Sequence, residues 1–249
     1  MPITTSDVIQ ALNDPALGQI NFSVGPIKVN AGEFRNVADC IYAGDIKVTP
    51  GNEALAFYSG HDNELITQRG NPPLDFTDRA QLLHECTHAI VDINKLKVLR
   101  LHDEVAGYLT QLTYSVILNP SPLVPAVLPA GVGSPLGRLV WMCKEVVLRY
   151  DLHKPRGFGA VIDPKDILRL AEAVHAHPDY ANVGETEMRA ENDLGVPDKH
   201  LEMQRMRATP LADGHRTISI IHTETGTTRD AVKPLDRPRR KPAPRIRVR

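Results

Sequence analysis

The chain has 249 residues, of which 42% are hydrophobic and 24% charged, and its formal net charge is −1. This composition is typical of a folded protein of one domain or slightly more. The N-terminus lacks a basic segment followed by an apolar run, and no run of about 18 apolar residues occurs, so we expect neither a secretory signal nor a membrane span. The default location is therefore cytoplasmic, and secretion without a signal stays open. Cys40, Cys86 and Cys143 are too few and too widely spaced for a disulfide framework.

The N-terminal part of the chain predicts one short helix followed by strands. Thr5–Leu12 is the helix, with its cap expected near Ser6. Apolar runs predict strands at residues 19–24, 27–29, 45–48, 54–58 and 64–67. Turn-forming residues at 60–63 predict a hairpin between the last two strands.

A strong helical pattern follows at residues 79–96, with Thr77 as the expected N-cap. Its apolar side chains share one arc of the helix: Leu82, Leu83, Cys86, Ala89 and Ile90. Residues 84–88 read H-E-x-x-H, and on a helix His84 and His88 lie one above the other, so both imidazoles can reach one metal ion. Glu85 lies beside them, where its carboxylate can serve a metal-activated water. Because both histidines fall outside the apolar arc, we expect them at the margin of a cleft.

A catalytic zinc site needs a third protein ligand. The elongated form of the motif, with a histidine six residues after His88, is excluded because that position is Asn94. A second helix opens near His102, and its polar face holds Glu104, one turn before Tyr108. Glu104 is therefore a candidate for the third ligand, and His102 is another.

Two aspartates near the motif have other expected roles. Asp92 lies one turn beyond His88 on the same helix, where it can orient a ligand imidazole. Asp103 points away from the face of Glu104, and we expect it to cap the second helix.

Two stretches resemble zincin-like metallopeptidases of the gluzincin type, especially small bacterial members with H-E-x-x-H-A followed closely by E-A-x-A-Y-x-x-Q. The stretches are residues 82–89 (L-L-H-E-C-T-H-A) and 104–111 (E-V-A-G-Y-L-T-Q), inside a span of about residues 54–117. The resemblance implies that His84, His88 and Glu104 bind zinc and that Glu85 is the general base. It also implies a strand beside the cleft that holds extended peptide. Gly107 stands where the family pattern usually has alanine.

The reaction implied is hydrolysis of a peptide bond in a peptide or protein substrate. Zinc would activate a water, and Glu85 would take its proton and pass it to the leaving amine. A donor to the developing oxyanion is also needed. Tyr108 either serves as that donor or packs with its hydroxyl bonded elsewhere. Other candidates remain open further along the chain: Tyr150, His153, His175, His177 and Tyr180.

The C-terminal half predicts helices and then a less ordered end. Five prolines at residues 119–137 predict a long loop, followed by helices at residues 136–150 and Pro164–His175, the second capped by Asp163. Residues 198–206 predict a further helix and residues 217–223 a strand. From Arg237 onward there are seven basic residues and no acidic one. Such a tail can bind nucleic acid or an acidic partner, although we do not expect this to be the main function.

Together these patterns predict an α+β, zincin-like fold with a small N-terminal β region, an active-site helix, a glutamate helix and further C-terminal helices. Residues 1–180 would form the metallopeptidase domain, residues 181–228 a charged, partly ordered extension, and residues 229–249 a disordered Pro- and Arg-rich tail. The predicted function is a zinc-dependent metallopeptidase. Two alternatives stay open: a toxin-like bacterial effector with the same chemistry, and a noncatalytic binding protein whose metal site is structural or lost.

Overall fold

The computed structural model describes residues 2–51, 55–68, 72–119, 133–155 and 158–188. Within these ranges the chain forms six α-helices and two three-stranded sheets, so the predicted α+β class is confirmed. The predictions for residues 198–206, 217–223 and 229–249, and most of the loop at 119–137, lie outside the described residues. No helix in the described ranges is both long enough and apolar enough to cross a membrane.

The N-terminal half contains all five predicted strands, with bounds that differ by a few residues. Its elements are α1 (Thr5–Leu12), a 3₁₀ helix (Pro15–Gln19), β1 (Asn21–Val24), β2 (Ile27–Asn30), α2 (Ala31–Ala43), β3 (Lys47–Pro50), β4 (Phe57–Ser59) and β5 (Glu64–Thr67). Helix α2 is not among the predicted elements. It begins after Asn30, whose side chain accepts hydrogen bonds from the backbone N–H groups of Gly32 and Glu33, and it ends at Gly44, whose φ of 81° suits glycine.

Two predicted helix caps are wrong by two residues each. Helix α1 is capped by Thr4 rather than Ser6, because Thr4 and Asp7 form a reciprocal capping box. The motif helix, α3 (Phe76–Ile93), is capped by Asp75 rather than Thr77, and the Asp75 carboxylate accepts from the backbone N–H of Asp78. Helix α3 therefore begins three residues before the predicted start, since aspartate caps a helix as well as threonine does.

The six strands of the described residues form two separate three-stranded sheets. In the first sheet the order is β2-β1-β6, with β1 antiparallel to β2 and parallel to β6 (Ala160–Val161). In the second the order is β3-β5-β4, with β5 parallel to β3 and antiparallel to β4. The hairpin predicted at residues 60–63 is confirmed, and β4 is an edge strand of the sheet that precedes α3.

The described part of the second half is mostly helical, as predicted, and it also contains the short strand β6. It contains α4 (Arg100–Leu118), α5 (Pro135–Arg149), α6 (Pro164–His175) and a 3₁₀ helix (Pro178–Tyr180). Asp163 caps α6 as expected. The chain then returns to the start of α4, where Met188 bridges to Leu99 and the Glu187 carboxylate binds Arg100 at 2.8 Å.

Helices α3 and α4 pack against each other in the hydrophobic core of the described residues. The predicted apolar arc of α3 is buried, but so are His84 and His88, with exposed fractions of 5% and 6%. The histidines are therefore more buried than the helical pattern predicts. Helix α4 packs against α3 and covers the face that carries them.

A polar cluster, which we call the Asp14 brace, ties the N-terminal segment to both helices. The Asp14 carboxylate accepts hydrogen bonds from Tyr114 of α4 at 2.7 Å, from Arg79 of α3 at 3.0 Å and from the backbone N–H of Ala16 at 2.9 Å. Burial opposes ionisation of Asp14, but these donors outweigh it and lower its pKa. The brace thereby fixes the ends of α3 and α4 that lie away from their short connection.

Candidate metal centre

Helix α3 brings three potential metal ligands together. Donor atoms of His84, Glu85 and His88 lie within 4.8 Å of one another. The two imidazoles are one helical turn apart, with ring centroids 5.0 Å apart in an edge-to-face arrangement. Both histidines are buried and Glu85 is half-buried. The spacing therefore allows all three side chains to face one ion.

Glu104 approaches the same point from α4. Its Oε2 atom lies 3.4 Å from Nε2 of His84 and 3.7 Å from Nε2 of His88. Tetrahedral zinc with ligands at about 2.0–2.2 Å places neighbouring donor atoms about 3.3–3.6 Å apart. The separations of 3.4 and 3.7 Å are close to those values, so this carboxylate oxygen lies at a distance from each imidazole nitrogen that a shared metal ion allows. The expected third ligand is thus beside both histidines.

The electrostatics of Glu104 also fit a ligand. Its side chain is buried, which by itself would raise the carboxyl pKa, but His88, His84 and a hydrogen bond from Tyr180 outweigh burial and lower the pKa to about 2. An ionised carboxylate is the form that binds a cation. Residues His84, His88 and Glu104 therefore offer the donor set of a three-ligand zinc site.

Asp103 lies behind His88 and does not cap its helix. Its Oδ2 atom is 2.8 Å from Nδ1 of His88, while Nε2 of the same ring faces Glu104. Within the described residues no side chain caps α4, whose N-cap is Leu99, so the predicted capping role of Asp103 is wrong. A carboxylate on the outer nitrogen of a ligand histidine fixes the tautomer and the orientation of the ring.

Gly107 lies directly against the ring of His84. A β-carbon built at this position would lie 2.8 Å from Nε2 of His84 and 2.9 Å from two of its ring carbons. The His84 ring therefore packs directly on the α4 backbone, where only glycine leaves room for it. On its other side the ring meets Tyr108 edge-on, with centroids 4.6 Å apart.

Glu85 is held by the edge strand. The backbone N–H of Tyr58 in β4 donates to Oε2 of Glu85 at 3.0 Å. The Tyr58 hydroxyl donates to Asp92 at 2.7 Å, two turns further along α3. Tyr58 therefore joins β4 to α3 at two points, through its backbone N–H at Glu85 and through its hydroxyl at Asp92. The carboxylate that lies 2.8 Å from Nδ1 of His88 is that of Asp103.

Tyr180 is the downstream candidate that reaches the site. Its hydroxyl donates to Oε2 of Glu104 at 2.9 Å. Burial, together with the nearby Glu104 charge, raises the pKa of Tyr180, and burial raises the pKa of Tyr108 to about 12. Both hydroxyls therefore keep their protons at neutral pH. His177 caps the 3₁₀ helix that carries Tyr180, and its ring lies 5.9 Å from the tyrosine ring.

The other sequence candidates have different surroundings. Tyr150 donates its hydroxyl hydrogen to Asp166 at 2.8 Å and accepts from the backbone N–H of Asp163. His153 and His175 each hold a buried Nδ1 atom away from solvent. His102, the alternative ligand, is half-buried, and burial lowers its pKa. The group of potential ligands with mutually close donor atoms among the described residues consists of His84, Glu85 and His88, so it includes neither His102 nor Glu104, and Glu104 is placed beside the two histidines by its own distances to them.

Comparison of the chain with models of protein families, with curated proteins and with solved structures gave no match. The site therefore has to be interpreted from its own residues and geometry.

Proposed function

We propose that this chain is a zinc-dependent metallopeptidase, with His84, His88 and Glu104 as zinc ligands and Glu85 as general base. The observation that carries the proposal is the position of one buried oxygen, Oε2 of Glu104, at 3.4 and 3.7 Å from Nε2 of the two histidines. Three ligands leave a fourth tetrahedral position for water or substrate, which is the arrangement of catalytic rather than structural zinc sites.

The neighbouring side chains have matching roles. Zinc bound at such a site polarises a carbonyl group and lowers the pKa of water. The Tyr58 N–H holds Oε2 of Glu85, so we assign Oε1 to accept the proton of the attacking water and to return it to the leaving amine. The hydroxyl of Tyr108 stays protonated at neutral pH, and we propose it as the donor to the oxyanion, because the single hydroxyl hydrogen of Tyr180 is donated to Glu104. Strand β4 lies at the edge of its sheet beside Glu85, where an extended peptide can add as a further strand.

The test begins with the metal content of purified, tag-free protein, followed by hydrolysis of a mixed peptide library. We expect about one zinc per chain, recovered when zinc is added back to chelator-treated protein. Glu85→Gln keeps an oxygen for the Tyr58 N–H and leaves the three ligands in place, so it should retain zinc and lose about 10²–10⁴-fold in hydrolysis rate. Glu172→Gln, an exposed change on α6, is the matched control and should leave both unchanged.

Three outcomes contradict the proposal. Failure to take up zinc after add-back would remove the metal site. Hydrolysis that survives in Glu85→Gln would belong to another base or to a contaminating peptidase. Full zinc occupancy without cleavage of any library peptide would favour a noncatalytic binding protein that keeps zinc as a structural clamp.

A further inference from the structure

Two residues of α4 that flank Glu104 contact the two histidines of α3. Asp103 precedes Glu104 and lies beside His88, and Gly107 follows it by one turn and lies beneath His84. We propose that Asp103 and Gly107 are the positioning residues of the metal centre, so that α4 supplies one ligand and sets the orientation of the other two. This inference rests on the proposed zinc site.

Asp103 is suited to hold His88 in a single orientation. It is 1% exposed, and its Oδ2 atom is 2.8 Å from Nδ1, the nitrogen on the far side of the ring from Glu104. A carboxylate at this distance favours the tautomer that carries its proton on Nδ1, which leaves the lone pair of Nε2 for a metal ion. Because Asp103 and Glu104 are consecutive, one turn of α4 contacts both nitrogens of the same imidazole.

Gly107 positions His84 by having no side chain. Ordinary contacts begin at 3.4 Å, and a β-carbon at position 107 would lie 2.8 Å from Nε2, so an alanine would displace that ligand atom by about 0.6 Å. Metal sites require their donor atoms to be held within about 0.5 Å of the productive geometry. The extra methyl group would therefore move His84 out of reach of a shared ion.

The atoms that a β-carbon at position 107 would meet lie at the end of the His84 side chain and not in the backbone. A substitution there should therefore move a ligand and leave the fold unchanged. The three nearest atoms to the added carbon all belong to the His84 ring, which can rotate about two side-chain bonds. The backbone of α4 can therefore accept alanine, which also favours a helix more than glycine does. We expect Gly107→Ala to fold normally and to bind metal more weakly.

The short connection between the helices accounts for this arrangement. Helix α3 ends at Ile93 and α4 begins at Arg100, so residues 94–99 alone join them. Short connections make consecutive helices close neighbours. A glycine at the contact then permits the approach that brings Glu104 to both histidines.

The proposal is tested by measuring zinc affinity through competition with a chromogenic chelator, using the full chain. The variants are Gly107→Ala and Asp103→Asn, with Gly18→Ala and Glu172→Gln as matched controls, because a β-carbon at Gly18 meets no atom within 4 Å and Glu172 is exposed on α6. We expect each site variant to weaken zinc binding by about 10–100-fold and each control to match the wild type.

Two further measurements distinguish positioning from misfolding. Circular dichroism spectra of the metal-free variants should match that of the wild type, and thermal unfolding should show no loss of stability. The visible absorption bands of the cobalt-substituted proteins report ligand geometry, and they should shift in Gly107→Ala and Asp103→Asn but not in the controls.

Wild-type affinity and cobalt bands retained in both site variants would overturn the inference and leave the zinc site intact. A wild-type chain that binds no zinc would instead overturn the proposed function itself. Unfolded metal-free Gly107→Ala would assign the glycine a structural role and would also contradict the inference.

Discussion

Replacing Tyr114 by phenylalanine removes one hydroxyl from the Asp14 brace, and we expect it to lower the free energy of unfolding at neutral pH by about 1.5–3 kcal/mol. Tyr114 is fully buried, and its hydroxyl donates to the ionised Asp14 carboxylate at 2.7 Å. Phenylalanine keeps the ring and its packing, so the loss comes from one charge-assisted hydrogen bond rather than from a cavity.

The size of this effect should depend on pH. Tyr114 and the other donors of the brace outweigh burial and hold the pKa of Asp14 below its value of about 3.9 in the unfolded chain. A lowered folded-state pKa stabilises the fold fully above the unfolded pKa, and this stabilisation is lost as the pH falls through the folded pKa. The difference between wild type and Tyr114→Phe should therefore be constant near neutral pH and should shrink in acid.

Urea unfolding of the metal-free protein, followed by circular dichroism at a series of pH values, measures this difference. Tyr42→Phe is the matched control, because Tyr42 is 85% exposed and should be neutral. A Tyr114→Phe protein as stable as Tyr42→Phe at neutral pH would refute the reasoning, and so would a difference that grows in acid.

Two further predictions concern other buried groups. All three cysteines are buried and free, and burial raises the pKa of Cys40 and Cys143 to about 12 and also raises the pKa of Cys86. A thiol reagent should therefore modify none of them in the native protein and all three in denaturant. Rapid modification of the native chain would contradict this prediction. Tyr180→Phe removes the donor to Oε2 of Glu104, so chelator competition should show zinc affinity about tenfold weaker. Unchanged affinity with slower hydrolysis would instead assign that hydroxyl to the oxyanion, and no change in either would exclude both roles.

The parts of the molecule that sequence predicts well depend on local patterns. The motif helix, its apolar arc and the vertical alignment of His84 with His88 follow from helical periodicity alone. The sequence predicts Glu104 as a candidate ligand because this residue lies near the start of the next helix and is separated from His88 by few residues. The hairpin before α3 follows from turn-forming residues between two apolar runs.

The sequence of helix α2 contains the local features of a helix. Phe34, Val37, Ala38 and Ile41 are buried at helical spacing, between a capping Asn30 and a terminating Gly44. Strand-like runs precede and follow this segment, and no helix is predicted between them.

Contacts between elements account for the rest. A helical wheel of α4 places Asp103 away from Glu104, but it does not show that both residues contact the same imidazole ring, that of His88 in α3. Gly107 differs from the family pattern for a reason that lies on another helix. Tyr180 is 76 residues from Glu104, and nothing in its local sequence selects it over the other tyrosines.

The short path between the ligands has a kinetic consequence. His84, His88 and Glu104 lie in one helical hairpin, so bringing them together closes only a small loop and costs little chain entropy. The Asp14 brace and the Tyr180 contact join residues 65 to 100 positions apart, and their entropy cost is larger. We therefore expect the ligand set to assemble early in folding, with the tyrosine that bonds Glu104 arriving last.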